Sequence, residues 1–167
     1  MDVNDECRIS QILDLNYAWA VSKDTTKKGK QNALRQVKEE VREMTQAIKE
    51  NDDVELLDSI CDIIWVCCGM AYRLGFSLEE ALDEVYASNF SKLLLGDECN
   101  PENLKEDFAT LEEKGKDGLK VVTADYGDPD VTPTGSIQDS NNKVCKPLKF
   151  VPPYLTLFVG DKSNVDE

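Results

Sequence analysis

The chain has 167 residues, with 33 acidic and 19 basic side chains, no histidine and a formal net charge of −14. That length is enough for one main domain with a real core. The acid excess argues against a protein that tracks nucleic acid or anionic membranes. Without histidine, acid–base chemistry falls to carboxylate, Lys, Tyr, Cys or a metal-activated water, and zinc sites built on imidazole are excluded.

In chain order, residues Asp5 to Ser22 read as a first helix, with Ile9, Ile12, Leu13 and Tyr17 at three-to-four spacing and Trp19 near its end. Lys23 to Lys30 is a lysine-rich connection, either a solvated loop or a source of cation for a phosphate ligand. A second helix is predicted over Gln31 to Lys49, striped by Leu34, Val37, Val41, Met44 and Ile48. A third runs from Val54 to Leu74, with Gly75 as its stop. It is apolar around most of its circumference, which predicts burial at the centre of a bundle or in an oligomer interface. A homodimer or a tetramer is therefore expected. Ser77-Leu78-Glu79-Glu80 reads as a capping box that opens a fourth helix to about Leu94.

After Gly96 the composition changes. Asn100-Pro101-Glu102 can start a short helix through Leu111. Residues 114–142 are rich in turn formers and read as a long loop or insertion, with one β-prone piece, Leu119 to Thr123. Lys143 to Leu155 is extended, Pro152-Pro153 blocking a helix, and Tyr154 to Val159 can add a strand before a polar tail from Gly160. The organisation expected is a helical domain over 1–95, an insertion over 96–142 and an extended C-terminal segment over 143–167. Six cysteines form no C-x-x-C pair, and Cys61, Cys67 and Cys68 read as small core residues of the third helix. The first residues resemble no secretory leader and no apolar run is long enough to span a bilayer, so a reduced cytoplasmic setting is expected.

The acid residues of helices two and three carry the chemistry. Glu39, Glu40 and Glu43 share one side of the second helix; Glu55, Asp58 and Asp62 share a face of the third. Folded back as a hairpin, the two acidic faces can meet. Like charges brought together repel, and a hard divalent cation, Mg2+ or Mn2+, neutralises them most simply. On Glu-Glu-x-x-Glu alone a plain solvated face is the competing explanation. Asn89 and Lys92 lie one turn apart on the fourth helix, a pair with little specificity by itself.

With its helices placed, the chain resembles the all-α nucleoside triphosphate pyrophosphohydrolases, which include MazG, dimeric dUTPases and phosphoribosyl-ATP pyrophosphohydrolase. The residues that carry the likeness are Glu40-x-x-Glu43, the run Leu57-Asp58-Ser59-Ile60-Cys61-Asp62-Ile63-Ile64-Trp65, Gly69-Met70-Ala71-Tyr72, and Glu84-Val85-Tyr86-Ala87-Ser88-Asn89-Phe90-Ser91-Lys92. Lys143-Val144-Cys145-Lys146 and Pro152-Pro153-Tyr154-Leu155 are similar to the closing piece of short MazG-like, phosphoribosyl-ATP-pyrophosphohydrolase-like proteins of phages and bacteria. Many relatives place a second acid pair as E-x-x-D ending where Asp62 stands. Here the position three before it is Ser59, so Asp58 substitutes, while Glu55-x-x-Asp58 is a competing literal match.

The resemblance implies an all-α, MazG-like four-helix bundle completed by oligomerisation. It implies Mg2+-dependent hydrolysis of a (d)NTP to (d)NMP and pyrophosphate, in nucleotide-pool cleaning or a dUTPase-like role. Glu40, Glu43, Asp58 and Asp62 would hold the metal, with Glu55 a weaker ligand. Glu39 would be the base, and Asn89 and Lys92 would contact phosphates. The rival substrate is phosphoribosyl-ATP. A non-catalytic helical assembly module, or a degenerate nucleotide binder, is the alternative from another class. Trp65, Tyr72 or Phe90 can stack on a base or pack in a core.

Overall fold

The computed structural model describes residues 8–124 and 130–159. The expected tail from Gly160 and the start of the first helix, residues 5–7, lie outside them. The chain divides into two compact units, residues 1–82 with 155–167, and residues 83–154.

In the first unit, α1 (Arg8–Ala18), α2 (Lys27–Glu50) and α3 (Asp53–Leu74) pack together, α2 against α3 along their length and α1 against α3. The α2–α3 turn is two residues long. Asn51 takes the left-handed conformation (φ 56°), the Asp52 N–H closes on the Ala47 carbonyl at 3.0 Å, and the Asp52 carboxylate caps α3 by accepting from the Val54 and Glu55 N–H groups at 3.1 and 3.0 Å. A link this short forces the antiparallel hairpin that the sequence predicts. Gly75, at φ 70°, ends α3 as expected.

The faces that meet take in only part of the large apolar stripes. Ala33 and Ala47 of α2 and Ser59, Cys68, Gly69 and Ala71 of α3 are buried, whereas Val54, Leu57, Ile60 and Ile64 are 81, 62, 42 and 48% exposed. Leu34, Val41 and Ile48 of the predicted α2 stripe are exposed too. Small residues at the contact let the helices approach closely and turn the bulky side chains outward. The same rotation exposes Cys61 and Cys67, expected in the core; of the three only Cys68 is buried. At Gly69 α1 comes near: a Cβ there would stand 3.4 Å from Oδ1 of Asn16.

The lysine-rich connection is shorter than expected because α2 begins at Lys27 rather than Gln31. Thr26 caps it, its hydroxyl accepting from the Gly29 N–H at 3.0 Å, and lysines are good helix formers. Gly29 is required where it is, since any Cβ would collide with Asp24. Lys23 donates to the Tyr72 carbonyl at 2.6 Å and lies 3.6 Å from the centroid of its ring, so this cation closes the C-terminal end of α3.

The fourth helix, α4 (Leu78–Phe90), crosses the boundary between the units. The expected capping box is altered. The Ser77 N–H, which Glu80 was to accept, donates instead to the Phe158 carbonyl at 3.0 Å, and Val159 bridges Phe76. The C-terminal segment supplies this acceptor. Apart from that single bridge, the strand predicted over Tyr154 to Val159 is replaced by a 3-10 turn at Thr156–Phe158.

The second unit holds more β structure than the one β-prone piece expected of the insertion. After α4 come β1 (Leu94–Leu95), two 3-10 turns, α5 (Lys105–Glu113), β2 (Lys120–Thr123) and β3 (Thr134–Gln138). The strands form an antiparallel sheet in the order β1-β3-β2, with Leu94 opposite Gly135 and Val121 opposite Ile137. The helix predicted to run to about Leu94 stops at Phe90, and Leu94 instead begins β1. Leu94, Leu104, Leu111, Ile137 and Cys145 make the core of this unit, α5 and the sheet closing on one another. The extended segment after β3 is held by three backbone N–H groups: Leu148 to the Asp107 carboxylate (2.6 Å), Val151 to the Ser91 hydroxyl (3.0 Å) and Tyr154 to the Glu84 carboxylate (3.0 Å).

Asp139 anchors the turn that follows β3. Its buried carboxylate accepts from the Asn141 and Lys143 N–H groups, both at 3.0 Å, and from the Lys116 ammonium at 3.1 Å. These bonds, the one from Lys143 foremost, hold its pKa below the ordinary 3.8. A depressed carboxylate pKa stabilises the fold above the unfolded-state value and loses that contribution as pH falls through the folded-state value. Asp139→Ala should therefore lower the Tm by several degrees at pH 7. The gap between the variant and the parent should shrink as pH drops below about 4, which thermal melts across pH 2–7 would show.

Candidate functional site

On α2 the residues turned toward the interior recur at Gly29, Ala33, Gln36, Val37, Glu40, Met44 and Ala47, a helical face. Glu40 belongs to it. Its half-buried carboxylate is thus drawn to the α2–α3 contact, while Glu39 and Glu43 are exposed at its side. On α3, Asp58 and Asp62 flank the buried Ser59 and are exposed. The third helix, expected at the centre of a bundle or in an oligomer interface, leaves both aspartates exposed within one chain because it turns its small residues inward.

The electrostatics show how the acids combine. The pKa of Glu40 is raised from its ordinary 4.5, first by burial and then by the charges of Glu43, Asp62, Glu39 and Asp58 in that order. Asp62, on the facing helix, acts on Glu40 more strongly than Glu39, its chain neighbour. Glu55 is not among the charges that raise it. The charges of Glu39, Glu43, Asp58 and Asp62 thus all reach Glu40, and Glu55, at the start of α3, is not among them. Among the described residues no lysine or arginine forms an ion pair with any of the five. Nor, as placed, do any three acid or cysteine side chains converge as a metal-ligand set among those residues.

The donor set itself suits a hard divalent cation: carboxylate oxygens, no sulfur or nitrogen, excess negative charge and no protein cation to cancel it. The hydroxyl of Ser59 adds to this picture. It is 3% exposed, finds no hydrogen-bond partner among the described residues, and stands next to Asp58 in the chain, three residues before Asp62. The sequence drew attention to Ser59 only as a departure from a motif.

Asn89 and Lys92 lie in the second unit, where the Lys92 ammonium donates to Asn89 Oδ1 at 2.6 Å. The aromatic candidates divide. Trp65 pairs with Trp19 at 5.7 Å and Tyr72 lies under Lys23, whereas Phe90 is 53% exposed beside Tyr86. No helix among the described residues is long and apolar enough to cross a membrane.

Residues 9–89 match the family model described as phosphoribosyl-ATP pyrophosphohydrolase. The match spans α1 through nearly all of α4 and so contains every one of the acid residues above. No curated protein and no solved structure matches significantly. Residues 9–89 therefore form a domain of the phosphoribosyl-ATP pyrophosphohydrolase family, within the MazG-like all-α NTP pyrophosphohydrolase superfamily.

Proposed function

We propose that the chain is a Mg2+-dependent pyrophosphohydrolase that cleaves a (d)NTP to (d)NMP and pyrophosphate. The family supports pyrophosphohydrolase chemistry. The observation that carries the rest is the placement of Glu40, half-buried on the inner face of α2 with Glu43 beside it, where the charges of Asp62 and Asp58 on the facing helix help raise its pKa and no cation among the described residues pairs with any of the four. These four carboxylates would hold the cation, and Mn2+ could replace Mg2+. When bound, the ion would neutralise phosphate charge and acidify a water. Glu39, exposed beside the set, takes the water's proton. The water oxygen forms a new bond to phosphorus and the α–β phosphoanhydride breaks, leaving pyrophosphate. Asn89 and Lys92 contact phosphate oxygens.

The description of the matching family favours a second reading, phosphoribosyl-ATP as substrate, which requires cleavage of the same type of bond. The short MazG-like motifs place the (d)NTP reading first.

The outward apolar residues of α2 and α3 support a homodimer or a tetramer, because a single chain leaves them in water. Static light scattering at micromolar concentration should return a mass of two or four chains; a monomer would contradict this assembly.

If the acids are a metal trap, they cost stability when the metal is absent. Glu40 bears that cost only above its raised pKa, where it is charged. Glu40→Gln, Glu43→Gln and Asp62→Asn should each lower kcat by several orders of magnitude. In EDTA at pH 7 each should melt at or above the parental temperature. Near-parental turnover in Glu43→Gln and Asp62→Asn would refute the ligand assignment.

A further inference from the structure

The sheet of the second unit has one face that its core does not use. Along β3, Gly135 and Ile137 are buried, while Thr134, Ser136 and Gln138 are half-exposed on the other side. Opposed residues of an antiparallel pair share a face. Val122, opposite Ser136, therefore joins them, and Val144 bridges Gln138 at the edge. This outer face is the floor of an open groove of about 480 Å3, within the range of small-ligand sites, and Phe90 and Lys92 stand on its wall.

Three kinds of chemistry meet there. The first is a cation without an anion. Lys92 is half-buried, its hydrogen-bond acceptor is the neutral amide of Asn89, and its second neighbour is the Phe150 ring at 5.5 Å. Among the described residues no carboxylate pairs with it, in a chain with 33 acids to 19 bases. The second is an apolar surface for a flat ring, supplied by the exposed ring of Phe90 with Val122 and Val144. The third is a carboxamide. Gln138 spends one N–H on the Ser136 hydroxyl at 3.3 Å, and its other N–H and its oxygen form the adjacent donor and acceptor that match the edge of a heterocyclic base.

We propose that this groove binds the nucleoside end of a nucleotide. The base lies against Phe90, Val122 and Val144, its edge is read by Gln138 with Ser136, and the 5′-phosphate meets Lys92. The inference deepens the pyrophosphohydrolase reading and rests on it for the identity of the ligand.

The test is calorimetric titration of the full chain with each deoxynucleoside monophosphate, and with inorganic phosphate, in EDTA. One base should bind more tightly than the others. Gln138→Leu should weaken that binding about tenfold and level the preference. The same variant should leave phosphate binding unchanged, while Lys92→Met should weaken both. Val122→Trp, at an exposed strand position, fills the groove without touching the core and should abolish nucleoside binding while circular dichroism stays parental. The proposal is overturned if the parent binds no monophosphate, or if Gln138→Leu and Val122→Trp bind every base as the parent does. Its failure is distinct from failure of the catalytic reading. A chain that releases pyrophosphate with a base preference untouched by both variants has the activity and a different base site. A chain that binds one base through Gln138 and releases no pyrophosphate has the groove and not the activity.

Discussion

The close approach of α2 and α3 governs the N-terminal unit. It depends on small residues, Ala33 and Ala47 on one helix and Ser59 on the other, and on a two-residue turn closed by Asn51 and Asp52. Two consequences follow from the same contact. Glu40 is carried inward to meet the charge of Asp62, and the large aliphatic side chains of both helices are left facing water. Electrostatic repulsion and an unfilled apolar surface are both unfavourable in an isolated chain. A divalent cation and a second copy of the chain are the proposed remedies, one for each.

Substituting a larger residue for Ala47 or Ser59 would push the hairpin apart and separate the carboxylates, so packing and chemistry are linked through the same positions. The hydroxyl of Ser59 illustrates the link. A serine is small enough for the contact, but its oxygen is buried without a hydrogen-bond partner among the described residues. An alanine would satisfy packing alone. The polar atom is consistent with a site whose remaining partners arrive from outside the chain.

Much of this was readable from residue order. The limits of α3, the antiparallel return and the stop at Gly75 follow from caps and helical period, whereas acid spacing alone put Glu55 on one face with Asp58 and Asp62 and did not set it apart. The face each helix buries did not follow. Periodicity identifies an apolar stripe but not which surface it covers, and here the stripe splits, Val37 and Met44 turning inward while Leu34, Val41 and Ile48 are exposed. The sheet was half legible. Lys120 to Thr123 has the β-prone composition of a strand, but Thr134 to Gln138 contains glycine, serine and glutamine and owes its pairing to tertiary context. Its alternation of buried and half-exposed residues became visible only once β2 and β1 lay on either side of it. Of the groove on its outer face the motifs name Asn89, Phe90, Lys92 and Val144 but not the sheet residues that form its floor.

The central claim is that the acid hairpin works as a metal-dependent pyrophosphohydrolase. It is tested most directly by incubating the chain with a panel of dNTPs, NTPs and phosphoribosyl-ATP, with Mg2+ or with EDTA, and identifying the phosphate product. The account predicts release of pyrophosphate and a nucleoside monophosphate from at least one of the nucleoside triphosphates, abolished by EDTA. Release of orthophosphate, release that persists in EDTA, or no release from any of them would contradict it.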